Sequence, residues 1–158
     1  VLTKIKISSV KCYPDLNSVI IKIEKVKGDY SFLFTIKISE ATSLSHLVFD
    51  NKSGSKSFPF NILEIILHNS SCKMGKITLN GLTSESKASV EIITKDKPIY
   101  LCIGVVDGLS LSLRYGLEVF IEEDKIPTAG KTIGDILDKS YSSKDIKKEI
   151  DSLDINLF

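Results

Sequence analysis

From Thr3 to about Glu122, apolar residues recur at every second position or gather in short runs, and Gly, Pro, Asn, Asp and Ser bound them. Two-residue alternation matches a strand whose side chains point to opposite faces in turn, so antiparallel β structure is expected. The predicted strands are 2–12, 18–27, 30–39, 45–49, 60–67, 74–80, 87–94, 98–106 and 109–122. Short strands at hairpin spacing, with no βαβ rhythm, predict a mainly β fold: an antiparallel β-sandwich or jelly-roll-like domain of about 8–9 strands.

The turn residues refine this picture. Lys27-Gly28-Asp29 is expected to close a hairpin, and Asn80-Gly81 and Asp107-Gly108 have the composition of type I′ turns. A two-residue turn at Asp107-Gly108 sets Val106 opposite Leu109, Cys102 opposite Leu113 and Tyr100 opposite Tyr115, with Arg114 facing Leu101. Strand 98–106 is then apolar on both faces and requires cover on both.

The pattern changes after Pro127. Ile133, Ile136 and Leu137 fall at helical spacing behind Thr132 as a candidate N-cap. Ser142 and Asp145 stand at capping-box spacing before a stripe of Ile146, Ile150, Leu153 and Leu157. Two short C-terminal α-helices are therefore expected. They divide the chain into a β-sandwich domain, 1–125, and a helical extension, 126–158, that packs on the sandwich or on a neighbouring subunit. An amphipathic helix this short is marginal alone, so its stripe must be buried somewhere.

Composition narrows the function classes. With 158 residues, 42% hydrophobic, 26% charged and a formal net charge of +1, the chain matches an ordinary globular domain and implies no electrostatic partner. Arg114 is the single arginine among 21 basic residues. Bidentate recognition of guanine or phosphate prefers the planar guanidinium, so sequence-specific nucleic-acid binding is disfavoured. Cys12, Cys72 and Cys102 are odd in number and widely spaced, as buried reduced thiols are; Cys102, within "IYLCIGVV", looks the most structural. An intracellular reducing compartment or a virion is the expected setting. Two acceptor patterns for glycosylation, Asn51-Lys52-Ser53 and Asn69-Ser70-Ser71, point weakly away from it. No apolar run approaches the length of a membrane span, and "VLTKIKISSV" lacks a signal-peptide layout.

The search for chemistry returns fragments. "AGKT", 129–132, lacks the P-loop glycine, since Lys125 stands in its place. His68 and Cys72 are four apart, but "ILHNSSCK" reads as a strand end and loop, so no metal site is expected. No G-x-S-x-G elbow marks a nucleophile, and Glu122, Glu123 and Asp124 read as a solvated strand end. Lys4, Lys6, Lys22, Lys25 and Lys27 form a weak candidate patch for nucleic acid or another anion, against the alternative that alternating lysines guard an outer strand. Arg114 is expected to pair with a helix carboxylate, with Asp138, Glu149 and Asp151 as candidates, or to stand unpaired with its head in water, rather than to capture a ligand.

The resulting expectation is a non-enzymatic structural or protein-interaction module, without cofactor or metal, that self-associates or joins a larger assembly. Viral capsid, matrix or accessory proteins and surface filament components are settings of that kind. The candidate interaction residues are Ile146, Ile150, Leu153, Leu157 and Arg114, and the alternative is an anion-binding or nucleic-acid-binding module using the lysine patch.

Overall fold

The structure, a computed structural model, describes residues 1–28, 30–44 and 58–126. The predicted strand 45–49 and both C-terminal helices, with Ile146, Ile150, Leu153 and Leu157, lie outside the described residues. Seven strands are present: β1 (Leu2–Tyr13), β2 (Ser18–Lys25), β3 (Ser31–Lys37), β4 (Lys73–Leu79), β5 (Lys87–Ile93), β6 (Ile99–Gly104) and β7 (Val119–Glu122). Helix α1 (Phe58–Asn69) precedes β4, and α2 (Val105–Tyr115) links β6 to β7.

All seven strands belong to one mixed sheet, in the order β3-β2-β1-β7-β4-β5-β6, curled into a half-barrel. The fold is mainly β, as expected, but it is not a sandwich of two sheets. Each half is an antiparallel meander, and β7 joins them, running antiparallel to β1 and parallel to β4. Two of the segments read as strands, 60–67 and the first half of 109–122, are helical instead, and the described strands form a single sheet.

The segment 60–67, "FNILEIIL", lies within α1. Pro59 falls in the first turn, where its missing N–H costs nothing, and Leu63 and Leu67 recur at helical spacing against the core. The predicted hairpin at Asp107-Gly108 is the first half of α2. Gly104 caps the helix, Asp107 stands in its first turn, and Gly116 ends it in the left-handed conformation at φ 64°. Asp at the start and Gly just past the end are the residues that the helix dipole and the C-terminal carbonyls favour.

Two further turns can be compared with expectation. Strands β2 and β3 pair as a hairpin, closed beyond Glu24 and Ser31, with Gly28 at φ 104°, a conformation that suits glycine. Asn80-Gly81 is not a two-residue turn. Leu79 pairs with Ala88, the Asn80 side chain accepts from the Lys87 amide, and the loop continues to Ser86.

One face of the sheet carries the core. Phe32, Phe34 and Ile36 on β3 align with Val19, Ile21 and Ile23 on β2, with Ile5 and Val10 on β1, and onward to Val119, Ile121, Ile77, Leu79, Ala88 and Val90. A bulge at Ser8 keeps β1 in phase, since Ile7 faces Ile23 before it and Val10 faces Ile21 after it. Val105, Leu109 and Leu111 of α2 fill the hollow of this face. Ser110 is fully buried, and its hydroxyl lies 2.9 Å from the Val106 carbonyl and 3.1 Å from Ser43 Oγ.

Candidate functional site

The most exposed apolar surface on a strand is β6. Among the described residues it is the last strand of the sheet and pairs on one side only, with β5, through Ala88↔Ile103, Val90↔Leu101 and Ile92↔Ile99. Ile99, Leu101 and Ile103 therefore share the core-side face, and Tyr100, Cys102 and Gly104 the outer one. Helix α2 covers only the Ile103 end, where it leaves β6 through Gly104. Ile99 stays 51% exposed, Tyr100 59% and Leu101 44%. Cys102 is exposed as well, which corrects its reading as a core thiol; Cys12 and Cys72 are half-buried.

Strand 98–106 reads as apolar on both faces, and among the described residues β6 is left largely uncovered; the C-terminal helices expected to cover it, in cis or from a neighbouring subunit, lie outside the described residues. Most natural edge strands carry charges, a proline or a bulge against association. Between Ile99 and Gly104 β6 has none of these. The opposite edge differs, for in β3 Phe32, Phe34 and Ile36 are buried and Leu33 and Thr35 half-buried. Helix α1 adds a second exposed apolar group in Ile62, Ile65 and Ile66.

Arg114 lies in the last turn of α2, not on a strand opposite Leu101. Among the described residues it meets a carboxylate of α1, while the three named from sequence, Asp138, Glu149 and Asp151, lie outside the described residues. Its Nε is 3.7 Å from Glu64 Oε1 on α1, and the guanidinium stands 5.8 Å from the Tyr115 ring centroid. Tyr115 donates to the same Glu64 oxygen at 3.0 Å. Burial, followed by the adjacent carboxylate, raises the Tyr115 pKa above its ordinary value. The guanidinium thus fastens α1 to α2. Glu64→Ala removes both contacts and is expected to cost about 1–2 kcal/mol in urea unfolding, with Tyr115→Phe costing less.

The lysine patch resolves into ion pairs, with Lys4, Lys6 and Lys22 on the outer face of the sheet and Lys25 opposite Ile5 at the end of the core-side face. Lys4 meets Glu118, Lys6 and Lys22 meet Glu24 at 3.1 and 3.3 Å, and Lys25 meets Glu123 at 2.6 Å. Lys27 is exposed beyond the end of β2. Three carboxylates thus stand against the first four ammonium groups. The Lys6 hydrogen bond, aided by Lys22 and opposed by burial, holds Glu24 below its ordinary pKa; Lys25 and Thr3 do the same for Glu123.

Carboxylates depressed in the fold add stability above their unfolded pKa, and that stability is lost as pH falls through the folded value. The melting temperature should therefore drop as pH is lowered from about 5 toward 3, and Glu24→Gln should flatten part of that drop. The effect is small, because the pairs are exposed and screened by solvent.

Among the described residues no group of three or more His, Cys, Asp or Glu could hold a metal ion. His68 is in the last turn of α1, while Cys72 lies beyond the helix, so the pair does not share a helical face. Of the acidic run after β7, Glu123 is engaged with Lys25 and Asp124 lies 3.7 Å from Lys125. No described helix is long and apolar enough to cross a membrane. Comparison with protein-family models and with curated protein sequences returned no match.

Proposed function

We propose that the chain is a non-enzymatic structural or protein-interaction module that self-associates, and that the β6 edge is the surface through which it does so. The observation that carries this reading is the exposure of Ile99, Tyr100 and Leu101 together on an unguarded edge strand. Contiguous exposed apolar surface is what monomers avoid and interfaces use, and an open strand edge adds a directional row of backbone donors and acceptors. The tail stripe of Ile146, Ile150, Leu153 and Leu157 stands beside this surface as a second candidate on sequence grounds.

The test is solution mass by light scattering across a concentration series of the full chain. Wild-type protein should rise above the mass of one chain as concentration increases. Leu101→Lys, an exposed position, should remain folded by circular dichroism and return to a monomer. A wild-type chain that stays monomeric throughout overturns the reading. Binding of single-stranded nucleic acid that weakens steeply with salt would favour the lysine face instead.

A further inference from the structure

We infer that β6 pairs antiparallel with β6 of a second copy, about a two-fold axis at Cys102. This rests on the self-association reading and gives it a register. The direction of the open backbone groups follows from the hydrogen bonds on the other side of the strand. Val105 donates its amide to the Ser86 carbonyl at 3.0 Å, so Val105 and, by alternation, Ile103, Leu101 and Ile99 turn their backbone groups toward β5. Across β5, the Asn80 amide donates to the Lys87 carbonyl, so Lys87 faces β4 and its neighbours Ser86 and Ala88 face β6, as this phase requires. The open row therefore belongs to Tyr100, Cys102 and Gly104.

A second β6 satisfies this row in one register. Centring the axis on Cys102 sets Cys102 against Cys102 and Tyr100 against Gly104 at both ends, so every outward residue meets an outward residue. A register displaced by a single residue would set outward groups against inward ones. The side chains agree with the backbone. Each Tyr100 ring faces the Gly104 of the other copy, an arrangement in which an aromatic covers a strand glycine. Leu101 meets Ile103 on the core-side face, where α2 leaves Leu101 exposed.

Charge does not oppose a second copy. The six residues of β6 are uncharged, so no like charges oppose one another across the axis. The register runs over these six residues alone, because the chain turns into α2 directly after Gly104. A parallel arrangement would bring Lys97 to Lys97 and would not close as a two-fold pair. One strand pair buries less than the roughly 1,200–2,000 Å² of stable complexes, so a weak, concentration-dependent dimer is expected.

Two variants of the full chain test the register. In Cys12→Ser/Cys72→Ser, Cys102 is the remaining thiol, and a short bismaleimide should join two chains through it by thioether bonds. Opposed residues in such a pair stand about 5.5 Å apart at Cα, well within the linker's reach. Cys102→Pro removes an outward amide while sparing the pairing with β5, a position that an edge strand tolerates. It should keep the wild-type circular dichroism spectrum and weaken the dimer by about tenfold or more, because backbone hydrogen bonds are lost from both copies. A dimer by mass that neither cross-links at Cys102 nor responds to Cys102→Pro overturns the β6 pairing and leaves self-association standing. A chain that is monomeric at every concentration removes both.

Discussion

Leu109→Ala is expected to destabilise the protein by about 2–5 kcal/mol, the range for a fully buried leucine whose removal leaves a cavity. Leu109 is wholly inaccessible, on the face of α2 that fills the hollow of the half-barrel. The comparison that gives the result its meaning is Leu113→Ala. On a β-strand Leu109, Leu111 and Leu113 would line one face and cost similar amounts. On α2 they turn through a helix, and their burial declines from complete at Leu109 to partial at Leu113. A urea series should show Leu113→Ala costing clearly less than Leu109→Ala. Equal losses would contradict the helix.

Gly108→Ala is expected to destabilise by about 1–3 kcal/mol, opposite in sign to what helix propensity alone predicts. A Cβ at Gly108 would stand 2.6 Å from the Ala88 Cβ and 3.5 Å from Ile77 Cγ2. Neither neighbour can yield easily. The Ala88 methyl is fixed to the β5 backbone, and α2 is held to β6 by the direct passage through Gly104. The glycine is thus what lets α2 lie close on β5. Ala88→Gly in the same chain should recover much of the loss, and a double-mutant cycle measures the coupling. A stabilised Gly108→Ala protein would show that α2 stands farther from the sheet.

The same residues explain what was legible in the sequence. Six of the seven strands were placed within a few residues, because alternation with one buried face leaves a strong period-two signal in β1 to β5, and β6 is apolar throughout. The helices were missed for a definite reason. In "GLSLSLRYG" leucines at 109, 111 and 113 alternate with serine as a strand does, yet 109 and 113 also stand four apart as a helix requires. Across so few residues the two periods do not separate. The deciding signals were Asp107 in a first turn, Arg114 in a last turn and Gly116 just past it. In "FNILEIIL" an apolar run without alternation left strand and helix equally open, and Pro59 read better as the opening of a helix.

The candidate surface was legible in part. Apolar character on both faces of strand 98–106 marked it as a surface in need of cover, and its exposed side chains are where the structure leaves that cover open. Sequence gave no means of knowing that α2 covers only one end and that β6 is the last strand. Order across a sheet depends on pairings distant in sequence, here β7 entering between β1 and β4. Glu64, which meets Arg114, was not among the carboxylates named from sequence, because 60–67 read as a strand and its place on a helix beside α2 did not show.

The central claim, an open β6 edge completed by a second copy, is tested most directly by amide hydrogen exchange read by NMR at low and high protein concentration. The amides of Leu101 and Ile103 face β5 and should be protected at both concentrations. Those of Tyr100, Cys102 and Gly104 should exchange quickly when dilute and gain protection when concentrated. Exchange at these three amides that stays fast at every concentration would contradict the pairing, and protection that is already complete when dilute would show that the chain covers its own edge.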